Sequence, residues 1–315
     1  FASVPSGKIL EVNAGARVHF HAESGLIVQE NATLKINGSL SPDQNLANEV
    51  IFEGDRLEPF FADVPGQWGF VYLRQGSKDH EISHLTLKNA TIGLFVENNS
   101  GDVMRIHNTQ IYNSSYIGIL ARHAKIDGFN LVVSNAGEAA VACTWGGNYN
   151  FTHCTFNNNW PSNRQVALLV DNFLPSQNTE NIAFDLVQAN FKNCIIYGNN
   201  QIEMQLNKNE SKLFNYQFEN CFIRFNNLNN QFSNHPEYQF DDPIFYLSNI
   251  IATNSFNTKP EFVNVNNNQL AIKETSDAKG NANFLYSNNT FDITGKPRTN
   301  PSDIGAYNFV ITEED

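Results

Sequence analysis

From residue 85 onward the chain repeats one hydrophobic and polar pattern, in which a short alternating run ends at Asn and a second apolar run follows. Leu85-Thr86-Leu87-Lys88-Asn89 leads to Ile92-Gly93-Leu94-Phe95-Val96, and Ile111-Tyr112-Asn113 leads to Ile117-Gly118-Ile119-Leu120-Ala121. Val132-Val133-Ser134-Asn135 leads to Ala139-Ala140-Val141, and Phe156-Asn157 to Val166-Ala167-Leu168. Asn89, Asn113, Asn135 and Asn157 recur at steps of 24, 22 and 22 residues. Each unit predicts short strands with a side-chain period of two, broken at Asn or Gly. A unit this short cannot bury its own apolar face, so neighbouring units must stack. A leucine-rich repeat needs an L-x-x-L-x-L frame that is missing here. Two or three strands per turn with polar corners predict an all-β parallel β-helix, a single coil of roughly 22–27-residue rungs.

The same alignment puts Cys154, Cys194 and Cys221 at one point of three units, which predicts a stacked interior row. It also predicts an amide ladder through Asn193, Asn220 and Asn249. With no change of composition along it, the chain reads as one domain. Residues 1–73 form capping and short rungs, 74–256 the regular rungs, and 257–315 a closing segment. Insertions at 158–165, 171–186, 207–215 and 227–243 all fall in the later half, where they could wall a groove beside one sheet.

Composition strengthens the β reading. The 315 residues include 47 asparagines, about 15% of the chain, and Asn is poor in helix interiors but tolerant of turns and left-handed backbone. Net charge is −12 without any cluster of four basic residues, which argues against nucleic acid or an anionic membrane as partner. No apolar run is long enough for a transmembrane helix. The first residue is Phe1, so a signal peptide or lipid anchor upstream is compatible with the chain. The eight N-x-S/T sequons are expected by chance in so Asn-rich a sequence. The four cysteines lack metal spacing, and His19 and His21, the one metal-like pair, read as a solvated edge pair. No cofactor is required; calcium is the metal an acidic sheet could hold.

Two segments carry a resemblance. One is Val50-Ile51-Phe52-Glu53-Gly54 followed by Gly66-Gln67-Trp68-Gly69 and Asn89-Ala90-Thr91-Ile92-Gly93. The other is the tail, with Asp292-Ile293-Thr294-Gly295-Lys296-Pro297-Arg298 and Asp303-Ile304-Gly305-Ala306-Tyr307. With these the chain resembles right-handed parallel β-helix proteins of the pectin-lyase-like superfamily, and more narrowly secreted or surface-anchored β-helix proteins of Bacteroidetes. Asn308 stands where such proteins usually carry Glu. The resemblance implies export to the cell surface, outer membrane or periplasm, and relatives that include polysaccharide lyases and hydrolases.

Chemistry is less legible. With Ile202, Met204 and Leu206 set inward, Glu203 and Gln205 face out, as do Leu169 and Asp171 one rung earlier. The outward stripe then reads Glu97, Arg122, Thr144, Asp171 and Glu203. Asp171, Glu203 and Arg122, with Asp241 of the pair Asp241-Asp242, are the catalytic candidates for a polysaccharide lyase or glycoside hydrolase. Trp145, Trp160, Arg164 and Tyr238, in or beside the insertions, are the ligand-binding candidates, since aromatic faces with polar rims suit sugar rings. The first expectation is a polysaccharide-binding surface protein; an enzyme and an adhesion module are the alternatives.

Overall fold

The computed structural model describes residues 1–309 except 43–44, 177–179, 255 and 289. The chain winds into a parallel β-solenoid of about ten turns. Each turn supplies strands to three parallel sheets. Sheet A runs from Ala2–Val4 through Leu26–Val28, Trp68–Leu73 and Ala90–Glu97, and ends at Val166–Asp171 and Met204–Asn207. Sheet B starts at Ile9–Asn13 and Thr33–Asn37 and passes through Leu186–Lys192 and Phe214–Glu219. Sheet C starts at Arg17–Phe20 and Val50–Gly54 and reaches Ile195–Gly198, Phe222–Arg224 and Ile250–Ala252.

Asparagine makes the corners. His84, Asn108, Asn130, His153, Asn193, Asn220 and Ser248 occupy the corner between sheets B and C, all with φ between 48° and 55°. Asn89, Asn113 and Asn135 form the next corner with φ of 64°, 56° and 53°. This left-handed region costs most side chains energy, and Asn offsets that cost with local hydrogen bonds. The corner amides also bond one another up the stack: Asn113 Nδ2 donates to Asn89 Oδ1 at 3.3 Å and Asn135 Nδ2 to Asn113 Oδ1 at 2.7 Å.

The predicted ladder through Asn193, Asn220 and Asn249 does not form. Ile195, Phe222 and Ile250 pair in register, which sets Ser248 beside Asn220 and drops Asn249 into the cysteine row. There Asn249 Oδ1 accepts the Cys221 N–H at 2.7 Å and Nδ2 donates to Phe218 O at 2.8 Å.

The interior is continuous. Leu94, Ile119, Val141, Leu168 and Met204 make one buried row of sheet A. In sheet B the rings of Phe151, Phe191, Phe218 and Tyr246 stack at 5.6, 4.8 and 5.5 Å. Cys154, Cys194 and Cys221 are fully buried, and each thiol donates to a carbonyl of a neighbouring rung. Burial pushes the Cys154 and Cys221 thiols upward. All four thiols should therefore resist Ellman's reagent in the native protein and react fully in denaturant; any native-state reaction would show that the row opens.

The closing segment lies against sheet C. Asp303 accepts the N–H groups of Gly280 and Phe309 at 2.7 and 2.6 Å, while Ile304 and Ala306 are fully buried. Gly305 has φ of +100°, and a Cβ there would meet Ile195 Cδ1 at 2.7 Å. The motif Asp303-Ile304-Gly305-Ala306-Tyr307 is thus a docking device for the tail.

Candidate functional site

The outer face of sheet A brings three of the candidate residues together. Phe95, Leu120, Ala142 and Leu169 share a register row, and Glu97, Arg122 and Thr144 share the row two positions on. The first row is apolar, forming a cluster with Ile92, Ile117, Ala139 and Val166. Leu120 is itself buried rather than outward-exposed, within this cluster and beside Phe95 on the preceding rung.

Along the edge of this strip, rings and an Arg interleave. Tyr72 and Phe95 stack at 4.3 Å, and the Tyr72 hydroxyl donates to the Glu97 carboxylate. The Arg122 guanidinium lies 5.0 Å from the Phe95 ring centre and 4.6 Å from that of Trp145. Trp145 in turn stacks against Phe184 at 6.0 Å. Trp145 is held at a corner with φ of +60°, where its N–H donates to Asp171 Oδ1 at 2.8 Å and its carbonyl lies 3.1 Å from His123 Nδ1. Burial raises the Asp171 carboxyl to about 6, against the opposing pull of the Trp145 and Phe173 N–H groups and Arg122. Tyr72, Phe95, Arg122, Trp145, Asp171 and Phe184 are all half-buried, so each keeps an exposed edge. At the first-rung end a polar groove of about 800 Å³, lined by Gln29, Arg74, Glu97 and Asn98 among others, continues the strip.

The remaining candidates lie elsewhere. Glu203 is fully buried, contrary to the outward placement above. Glu203 precedes the strand Met204–Asn207 and bonds through its backbone to both neighbouring rungs, but its carboxyl is covered by Gln165 and the corner at Gly198 and Asn200. Its Oε1 accepts the Asn200 N–H at 2.7 Å and Gln165 Nε2 at 3.1 Å, and burial raises the carboxyl to about 8. Tyr238 is buried too, a plug rather than a shelf: its hydroxyl accepts the Leu206 N–H at 2.8 Å and its ring packs on Phe225 and Phe232. Arg164 is exposed on a groove of about 380 Å³ between the 158–165 and 227–243 insertions. Trp160 is half-buried in the first of these, its carbonyl accepting Asn199 Nδ2 at 3.3 Å. Asp241 is exposed on a turn in which Asp242 Oδ1 accepts the Ile244 N–H, and it belongs to neither group. His19 and His21 face Glu53 and Asp55. No group of three or more potential metal ligands occurs among the described residues, and no helix there is long and apolar enough to cross a membrane.

Tyr72, Phe184 and the stacking role of Phe95 escaped sequence reasoning. The period-two run Phe70-Val71-Tyr72-Leu73 was a usable signal for Tyr72, because its rung pairs with that of Phe95. Phe184 comes from an insertion and left no signal.

No protein-family model matches the chain, and no curated protein matches it. Among solved structures it is similar to trypsin-treated QnrB1, a plasmid-mediated fluoroquinolone resistance protein, at 14% identity over 70% of this chain and 82% of that one. The TM-score is 0.20, too low to carry an argument about fold or activity.

Proposed function

We propose that this is an exported protein of the cell surface or periplasm that binds a polysaccharide along the outer face of sheet A. The observation that carries the reading is the interleaved row of Tyr72, Phe95, Arg122, Trp145 and Phe184. The exposed edges of these stacked rings make an apolar strip along which sugar C–H groups can pack, while Arg122, Glu97 and Asp171 supply polar contacts at the rim. The exported setting rests on the resemblance of the tail segments described above.

A second reading, a glycoside hydrolase or lyase, draws on the raised Asp171 carboxyl, which suits a general acid. Spacing weighs against it. Glu97 stands three rungs from Asp171, about 14 Å at ~4.8 Å per rung. Asp171 pairs with Asn207, four residues beyond Glu203, so those two carboxylates are also separated by about 13 Å along the strand. Paired carboxylates of glycosidases stand roughly 5 to 9.5 Å apart.

The test is a glycan-array screen with and without calcium, followed by product analysis on every hit. Arg122→Ala should weaken the best hit about tenfold, corresponding to the loss of ~1.4 kcal/mol of polar contact to the ligand. Its melting temperature should stay near that of the parent. Unchanged affinity would remove the strip from consideration, and cleaved product would favour the enzyme.

A further inference from the structure

We infer that the groove between the 158–165 and 227–243 insertions is a second ligand site, separate from the aromatic strip, that receives the acetamido group of an N-acetylated sugar. The ligand class rests on the polysaccharide reading; the site stands on its own geometry. The groove, about 380 Å³, has room for a small ligand group, and its floor is the far end of sheet A at Val166 and Met204.

Three features define what it accepts. Gln165 lines the floor and is 1% exposed. Its Nε2 donates to Asn158 O at 3.3 Å, Asn199 Oδ1 at 2.8 Å and Glu203 Oε1 at 3.1 Å, whereas its Oε1 has no hydrogen-bond partner. A buried acceptor left without a donor is costly, and a ligand N–H would satisfy it. Glu203 Oε2, on the carboxyl bonded to Gln165, is likewise unpartnered. Next, Gln205 and Gln231 line the same groove, and their amides can donate to a carbonyl. Finally, the half-buried Ile202 and Phe232 give part of the wall an apolar surface that suits a methyl group.

An acetamido group presents an N–H donor, a carbonyl acceptor and a methyl in one plane, which matches these three features together. A bare hydroxyl would answer the Gln165 acceptor but leave the apolar wall unused. A metal cation is disfavoured by Arg164, which lines the groove, and by Arg224, whose charge bears on Glu203.

The experiment is calorimetric titration with β-1,4-linked N-acetylglucosamine oligomers against glucose oligomers of the same linkage and length. The titrations use the parent chain, Gln231→Ala and Arg122→Ala. Gln231 is exposed, so its variant should fold as the parent does, and a thermal melt checks this. The expected result is at least tenfold tighter binding of the acetylated series, weakened at least fivefold by Gln231→Ala and unchanged by Arg122→Ala. Equal affinity for the two series, no binding of either, or indifference to Gln231→Ala would overturn the inference. Binding lost with Arg122→Ala yet blind to acetylation and to Gln231 would remove the groove while the strip survives. The expected outcome concerns the groove alone; the strip is tested separately, by Arg122→Ala against the best hit of the glycan array.

Discussion

Replacing Arg298 by Ala is expected to release the C-terminal segment from the solenoid without melting the coil itself. Arg298 is 4% exposed, and its guanidinium is spent on the tail and on one corner. Nη2 donates to Asn130 Oδ1 at 2.9 Å, Gly305 O at 3.0 Å and Ala306 O at 3.1 Å. Truncation leaves those buried oxygens short of a donor and opens a cavity the size of the side chain. The combined cost is about 3 kcal/mol or more. Two separate apolar clusters decide where that cost falls. The interior row of the coil is one cluster, while Phe262, Ile272, Ile293, Ile304 and Ala306 pack in another with Val132, Ile195 and Phe222 of sheet C. Loss of the second therefore leaves the first closed, a case of sub-global opening. Limited proteolysis should cut within 257–309 and leave a resistant fragment that ends near residue 254. A single cooperative loss of both parts would contradict this.

The other large effect is a dependence of stability on pH carried by Glu203. Its folded value is raised from 4.5 to about 8 by burial. A carboxyl held protonated in the fold stabilises most below its unfolded value, and that contribution disappears as pH rises through the folded one. Asp171, raised to about 6, acts with the same sign over a lower range. His80, lowered to about 4 by burial, and His153, also lowered, act with the opposite sign below 6.5. Between pH 6.5 and 8 Glu203 therefore dominates. The parent should lose about 2 kcal/mol over that interval, at ~1.4 kcal/mol per pH unit. Glu203→Gln keeps an acceptor for the Asn200 N–H and the Gln165 amide but cannot ionise, so its stability should stay level. Denaturant titrations of both proteins at the two pH values measure the difference. A parent that is equally stable at both would show that Glu203 ionises freely.

The architecture was legible because its cause is local. Asn at a recurring spacing marks left-handed corners, and small soft residues at a fixed point of the unit mark an interior row, so Cys154, Cys194 and Cys221 fell into place. Errors arose where a unit changes its corner residue or its strand start. Ser248 replaces Asn at one corner, which moved Asn249 one position in register. At the strand start before Met204, the corner at Gly198 and Asn200 and the insertion residue Gln165 fold over the carboxyl of Glu203 and bury it. Arg122 and Asp171 were readable as members of one stripe by counting positions along the strands, whereas Trp145 was read as an insertion aromatic and its place against both came only from the fold. Tyr238 was not readable as a plug. An aromatic in a long insertion looks the same in sequence whether it folds back onto the coil or stands out from it, since only tertiary packing separates the two.

The asparagine corners also make the molecule a ruler with fixed graduations. Asn113 and Asn135 occupy equivalent corners, and Ser114 pairs with Ala136. Excising 114–135 would join one corner to the next stretch in phase and shorten the stack by a single graduation of ~4.8 Å. Excising one residue fewer would turn every downstream side chain of that strand to the opposite face. Duplication of a complete turn lengthens the outer face by the same step while every corner keeps its geometry. The length of that face is thereby adjustable in whole turns, with no new solution required of the interior.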